Sequence, residues 1–287
     1  MPFYIFAWIA TVAYGGVAIT VKLTSKYVIS NPWLFNFLFQ LFVLIIIFPI
    51  ALFNHAGWPT NWESIIFASI FFALFYLLYT MAIYRLDITV FAPLFNFRAI
   101  MSVFLAWLFL GESLTTNQIF LITLIFIASL FASIDEKLSL SSFFKPAIGI
   151  AIASVTSLAL SNLFIKKAII ANSYWQLLMW QYVFSQILLL ITIPQFKDDI
   201  RKLTLKQAGV VLLVATIFVI GELTSTRAYV ENVGISAVII SLPASMIMAF
   251  FFSVFAPKLL EKHTLKVYAI RFTAAAIMIA AALKLSA

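Results

Sequence analysis

The 287-residue chain is 64% hydrophobic and only 10% charged, with a mean hydropathy of +1.12, far outside the range of a soluble domain. It has no cysteine, which excludes disulfides, thiolate metal sites and cysteine nucleophiles. Its net charge of +8 would point to nucleic acid in a soluble protein. Here, however, Lys and Arg stand at the ends of apolar runs as topology signals do, and no nucleic-acid-binding element is visible.

Runs such as Leu34 to Phe53 stay apolar on every side, whereas a membrane β-barrel would alternate apolar and polar residues. Helices are therefore the expected spanning elements, and the expected fold is an all-α polytopic membrane protein. About ten spans with short connections are predicted: Phe3 to Val21, Trp33 to Phe53, Ser64 to Tyr84, Thr89 to Leu110, Asn117 to Ile134, Pro146 to Ile165, Trp175 to Ile193, Ala208 to Tyr229, Ile235 to Phe255 and Leu265 to Leu283. The first run lacks a basic n-region and a small-residue cleavage site, so it is read as a true span rather than a removable signal peptide. The longest polar piece, Gln195 to Gln207, is too short to fold alone and reads as a solvated loop or interfacial turn.

The fourth span carries the residue that fits hydrocarbon least. Arg98 falls near its middle, where a guanidinium costs at least ~2.5 kcal/mol, so it should face a protein-lined or wet interior. Asn96 stands beside it and Pro93 about one turn before, where proline leaves a carbonyl free for a substrate or a partner helix. This helix is expected to form one wall of a central cavity.

Ten spans divide naturally into two halves of five, residues 1–143 and 144–287, and the halves share several features. Lys26 to Asn31, followed by Pro32 and Trp33, parallels Lys167 to Asn172, followed by Ser173, Tyr174 and Trp175. Pro93 parallels Pro243, and the exit Glu112 to Thr115 parallels Glu261 to Thr264, while Thr115-Thr-Asn-Gln118 has capping-box spacing. An odd number of spans per half places the two copies in opposite orientations around the central cavity, as in inverted-repeat carriers.

A Pro-containing span ending in Leu110-Gly111-Glu112 with a following Thr, preceded by Ala82 and a turn at Leu86-Asp87, resembles the drug/metabolite transporter superfamily, specifically its ten-helix EamA-type repeat. The second copy departs from the pattern, with Ala256-Pro257-Lys258 and Glu261 replacing the compact Leu-Gly-Glu. The resemblance implies transport of small metabolites, with spans one to four and six to nine around the cavity and spans five and ten outside. It marks the fold and leaves the substrate open.

Charged residues away from span ends are few, so each can be weighed. Glu222 lies inside span eight, and Ser225, Thr226 and Tyr229 follow on its face at helical spacing. It can bind a cationic group, carry a coupling proton, or neutralise Arg98 across the bundle. Span two places Trp33, Asn36 and Gln40 about one turn apart, and span seven repeats the pattern with Trp175, Met179, Tyr182 and Gln186. These read equally as cavity lining and as interfacial aromatics with interhelical hydrogen bonds. Tyr14, Gly15 and Gly16 in span one, and Ser161 and Asn162 in span six, mark points of close helix approach or polar ligand contact. Lys22, Lys166, Lys167, Arg85 and Arg227 fit snorkelling at span ends, and Arg271 a structural role. The 31 Phe residues are lipid-facing or core filler, with a subset able to line the cavity as an aromatic box.

The expected function is secondary-active transport by alternating access. A central Arg favours a carboxylate or phosphate and Glu222 an amine or proton, which together fit an amino acid or similar zwitterion. The alternatives are a membrane-embedded enzyme or a channel. Against an enzyme, His55 and His263 lie far apart in loops, Asp198-Asp199 is an isolated solvated pair, and there is neither a Walker A loop nor a G-x-S-x-G motif. No cofactor and no metal are expected. The expected partners are the lipid bilayer of a cell membrane, a small-molecule substrate and protons as coupling ions, with the chain a monomer or homodimer.

Loops after the odd-numbered spans hold about twelve Lys and Arg and the opposite side about four, which by the positive-inside rule puts those loops in the cytoplasm and both termini outside. The superfamily implies cytoplasmic termini. On the charge count, a cysteine replacing Asn54 is expected to label from outside intact cells and one replacing Ser142 to be shielded. Labelling at Ser142 alone would establish the family's orientation.

Overall fold

A computed structural model describes residues 2–85, 101–111, 113–132, 146–242, 244, 247–248 and 265–286. Helices stand at all ten expected positions: α1 (Phe3–Tyr27), α2 (Pro32–Phe53), α3 (Trp62–Arg85), α4 (Met101–Leu110), α5 (Thr116–Ala132), α6 (Pro146–Ala171), α7 (Tyr174–Leu189), α8 (Leu205–Glu231), α9 (Val233–Ile240) and α10 (Leu265–Ser286). Among the described residues there is no strand. Among the described residues, six helices are long and apolar enough to cross a membrane: α1, α2, α3, α6, α8, and α7 with the 3-10 turn that extends it to Gln195. The chain is an all-α polytopic membrane protein.

Local chemistry sets the helix ends. Asn31 caps α2 by accepting from Trp33 N and Leu34 N, with Pro32 at the first helical position, where its missing N–H costs nothing. Ser173 with Gln176 and Thr204 with Gln207 form capping boxes at the starts of α7 and α8. The box expected at Thr115 is present: Thr115 N donates to Gln118 Oε1 at 2.9 Å and Gln118 N to Thr115 Oγ1 at 3.3 Å. Gly111 follows α4 with φ +66°, a left-handed conformation that any side chain would strain, which accounts for the glycine in the exit motif. Helix α9 ends at Ile240, inside the span expected to run unbroken from Ile235 to Phe255, in a turn that precedes Pro243, because proline disfavours helix in the residue before it. The polar piece after α7 is ordered as a 3-10 turn (Leu190–Gln195) and a one-turn helix (Lys197–Ile200).

The packing pairs are specific. Helix α1 lies along α8, α3 along α6, and α5 along α10, while α2 contacts α7 and α8, and α7 also contacts α3. The larger apolar core is built from α1, α2, α3, α6, α7 and α8, and a second joins α5, α9 and α10 to the start of α1 and the end of α8. Helices α5 and α10 expose Ile119, Phe120, Ile127, Phe131, Ile277 and Leu283, the apolar surface of helices that face lipid.

Candidate substrate site

The centre of the larger core is polar. Glu222, on α8, is 4% exposed, and its Oε2 accepts a 2.8 Å hydrogen bond from the Tyr14 hydroxyl of α1. Tyr14 Oη also lies 2.8 Å from Ser225 Oγ. A phenol has one proton, so with that proton given to the carboxylate, Ser225 donates to Tyr14. Ser225 Oγ lies one helical turn beyond Glu222 and 3.2 Å from its backbone oxygen. The chain Ser225 to Tyr14 to Glu222 thus ties α1 to α8, and its last link ends on a carboxylate, the stronger kind of hydrogen bond.

Aromatic rings close around this group from four other directions. Phe218, one turn before Glu222, has its ring centroid 5.6 Å from Tyr14, 5.0 Å from Phe39 of α2 and 5.4 Å from Tyr76 of α3. Phe72 of α3 lies 4.8 Å from Tyr76 and 5.2 Å from Tyr182 of α7. The Tyr182 hydroxyl approaches the Glu222 carboxylate without forming a well-aligned hydrogen bond. Five helices thus contribute rings to one box with a carboxylate at its base.

A glycine makes the approach of α1 possible. At Gly221 a Cβ would stand 2.9 Å from Tyr14 Cε1, 3.0 Å from Tyr14 Cδ1 and 3.3 Å from Ala13 Cβ. The Tyr14 ring therefore lies directly on the α8 backbone, beside the carboxylate it binds. At Gly16 a Cβ would meet only ordinary contact, Ile217 Cγ2 at 3.6 Å.

The sequence candidates separate on this geometry. Tyr14, Glu222, Ser225 and Tyr182 come together. Tyr229 and Asn162 meet at 3.5 Å between α8 and α6, continuing the polar face toward the end of α8. Asn36 is buried and accepts from Thr80 of α3 at 3.4 Å, an interhelical bond. Gln40 is buried on the same α2 face, and neither of its amide atoms has a partner; Gln181 and Gln186 of α7 are in the same condition, as is the Thr226 hydroxyl. Each such group costs roughly 1–3 kcal/mol. Trp33 is half-buried at the head of α2, packed on the core. Arg98, Asn96, Pro93, Glu112, Pro243 and the exit Glu261 to Thr264 lie outside the described residues.

The residues that sequence reasoning missed are Gly221, Tyr76, Phe39, Phe72 and Phe218. The rings carried no signal, being four among many aromatics in apolar runs; the glycine carried one, standing beside the only carboxylate of its span. Lys166 also differs from the snorkelling role: its Nζ, half-buried, donates to the Val230 and Glu231 carbonyls and caps the C-terminus of α8.

No curated protein matches the chain by sequence. A solved crystal structure of a protein with 12% identity matches it with a TM-score of 0.72, over 99% of this chain and 98% of that one, and so shares its fold. Residues 1–134 match the model of the EamA-like transporter family. The all-helical fold and the exit turn at Gly111 agree with that match, so the first part of the chain, residues 1–134, is similar to the EamA-like transporter family.

Proposed function

We propose that the chain is a secondary-active carrier that moves an amino acid or similar zwitterion across a cell membrane by alternating access. The observation that carries the reading is Glu222: a carboxylate buried in mid-span and held by Tyr14 from the other half of the chain. Intramembrane carboxylates mark transport pathways by default. The aromatic box around it suits a substrate amine, since an ammonium gains about 0.5–2 kcal/mol over each well-placed ring face. Arg98 supplies the carboxylate-binding end in this reading, the rings hold the amine, and Glu222 carries the coupling proton.

The inverted repeat belongs to the same proposal, with residues 1–143 and 144–287 as its copies. The packing supports it. Advancing every helix by five turns the α1–α8 pair into α6–α3 and the α2–α8 pair into α7–α3, and it leaves α2–α7 and α5–α10 unchanged. A two-fold exchange of the halves has this property. The carrier functions as a monomer or homodimer, needs no cofactor, and sits in the plasma membrane.

A thermal-shift screen of the purified protein against the proteinogenic amino acids, followed by counterflow of each stabilising amino acid in proteoliposomes, tests this reading. A ligand that binds only the folded state raises its melting temperature. Counterflow that saturates and is stimulated by internal amino acid is expected, and unsaturable flux would mark a channel instead. Arg98→Lys is expected to lose counterflow as fully as Arg98→Ala, because an ammonium cannot reproduce the two-pronged grip of a guanidinium on a carboxylate. Wild-type counterflow in Arg98→Lys would remove that role.

A further inference from the structure

The two matching asparagines at the turns Lys26 to Asn31 and Lys167 to Asn172 each leave their own half and grip a loop of the other. Asn31 uses its Oδ1 to cap α2, and its Nδ2 donates to Gln195 O at 3.2 Å and Asp199 Oδ2 at 2.6 Å, beyond the end of α7. The same turn is held by Gln207 Nε2, which donates to Val28 O at 2.9 Å, and by the Phe37–Phe196 ring contact at 5.1 Å. Asn172, buried, accepts from Thr60 N at 2.8 Å and Asn61 N at 3.1 Å, in the loop after α2. Its Nδ2 donates to Asn61 O at 3.1 Å and Ala168 O at 3.0 Å, so both amide atoms are fully used. Beside it, Gln176 Nε2 donates to Trp58 O and Trp180 Nε1 to Gly57 O, both at 3.0 Å, and Trp58 stacks on Trp180 at 4.9 Å.

These contacts have one consequence in common. Asn31 stands at the start of α2 and reaches the end of α7; Asn172 stands at the start of α7 and reaches the loop after α2. The two helices are antiparallel and span the membrane, so they are tied at both faces at once. A carrier that opens alternately to each side must break contacts at one face or the other, and both ties are made in a single conformation. On either side of α2 and α7, helices α1, α8 and α9 form one packed group and α3 and α6 another, and the groups touch less extensively than the helices within them, among other places at Phe218–Tyr76, Asn162–Tyr229 and Lys166 at the end of α8.

We propose that Asn31 and Asn172 are matched clamps that make α2 and α7 a fixed post, and that access to Glu222 opens beside this post, between the α1–α8–α9 group and the α3–α6 group. The clamps themselves rest on geometry alone; the route of opening rests on the carrier reading above.

The chain has no cysteine, so introduced thiols are the only labelling sites. The test uses the full-length protein in lipid nanodiscs with nitroxide pairs, read by pulsed dipolar spectroscopy at acidic and alkaline pH. Ser30 with Asp198 reports the first clamp, Asn54 with Ala171 the second, and Tyr27 with Arg85 the gap between the two groups; all six residues are exposed. Each clamp pair is expected to give one narrow distance at both pH values. Asn31→Ala is expected to broaden the first distribution only, and Asn172→Ala the second only. Two distances across either clamp in the wild-type protein would make it a gate and overturn the proposal. Distributions that ignore the alanine substitutions would overturn it as well, because the asparagines would then hold nothing. A Tyr27–Arg85 distance that stays single while the clamps behave as expected would count against the alternating-access reading and leave the clamps standing.

Discussion

The Glu222→Gln protein is expected to lose proton-driven net uptake of its amino acid while retaining exchange and nearly all of its thermal stability. Gln keeps the shape of the side chain and an oxygen that can accept the Tyr14 proton, so the 2.8 Å contact survives as a neutral hydrogen bond. What disappears is the titratable charge. Net uptake requires the site to release its proton on one side, whereas exchange need not empty it, and the two assays therefore separate. Glu222→Ala goes further. It removes the acceptor, and a hydrogen bond to a charged group contributes about 1.5–3 kcal/mol; Tyr14 keeps Ser225 as a partner, which puts the expected loss at the lower end of that range. Both uptake and exchange should fall to background in Glu222→Ala, with a modest drop in melting temperature. Wild-type rates of uptake and exchange in Glu222→Gln, at matched protein in liposomes, would reduce Glu222 to scaffold.

Much of this site was legible in the sequence, for identifiable reasons. Glu222 was found because a charge inside an apolar run has no cheap explanation, and Ser225 followed from helical spacing. The exit at Gly111 and the capping box at Thr115 and Gln118 were found because caps are local chemistry, fixed by residues within one turn. Contacts between distant helices left no comparable trace. Nothing in the run around Tyr14 says that it meets residue 222, and Gln40 shares a helix face with Asn36 although Asn36 has a hydrogen-bond partner across the interface and the Gln40 amide has none. The parallel between Asn31 and Asn172 was visible as a repeat, but its meaning lay in loops of the opposite half. Ring-to-ring contacts were the least legible, since six rings drawn from many make no pattern until the five helices that carry them are packed together.

Gly221→Ala is expected to lower stability and to cut transport sharply, and Gly221→Leu to abolish both. Two effects oppose each other. Within a helix, Ala is favoured over Gly by about 0.8–1 kcal/mol, so at a position with open space the substitution would stabilise. Here the new methyl would stand 2.9 Å from Tyr14 Cε1 and 3.3 Å from Ala13 Cβ, and forcing extra atoms into a packed interior costs about 1–3 kcal/mol. The clash exceeds the propensity gain unless the ring moves. If it moves, the phenol leaves the carboxylate, so transport suffers even where stability is recovered. The pair Tyr14→Leu with Gly221→Ala separates the two costs: the smaller, flexible side chain is expected to restore the melting temperature toward that of Tyr14→Leu alone, while counterflow stays at background because nothing then binds Glu222 from α1. A Gly221→Ala protein with the stability and counterflow rate of the wild type would show that the ring has room to shift without leaving the carboxylate, and that the close approach of α1 to α8 is packing alone.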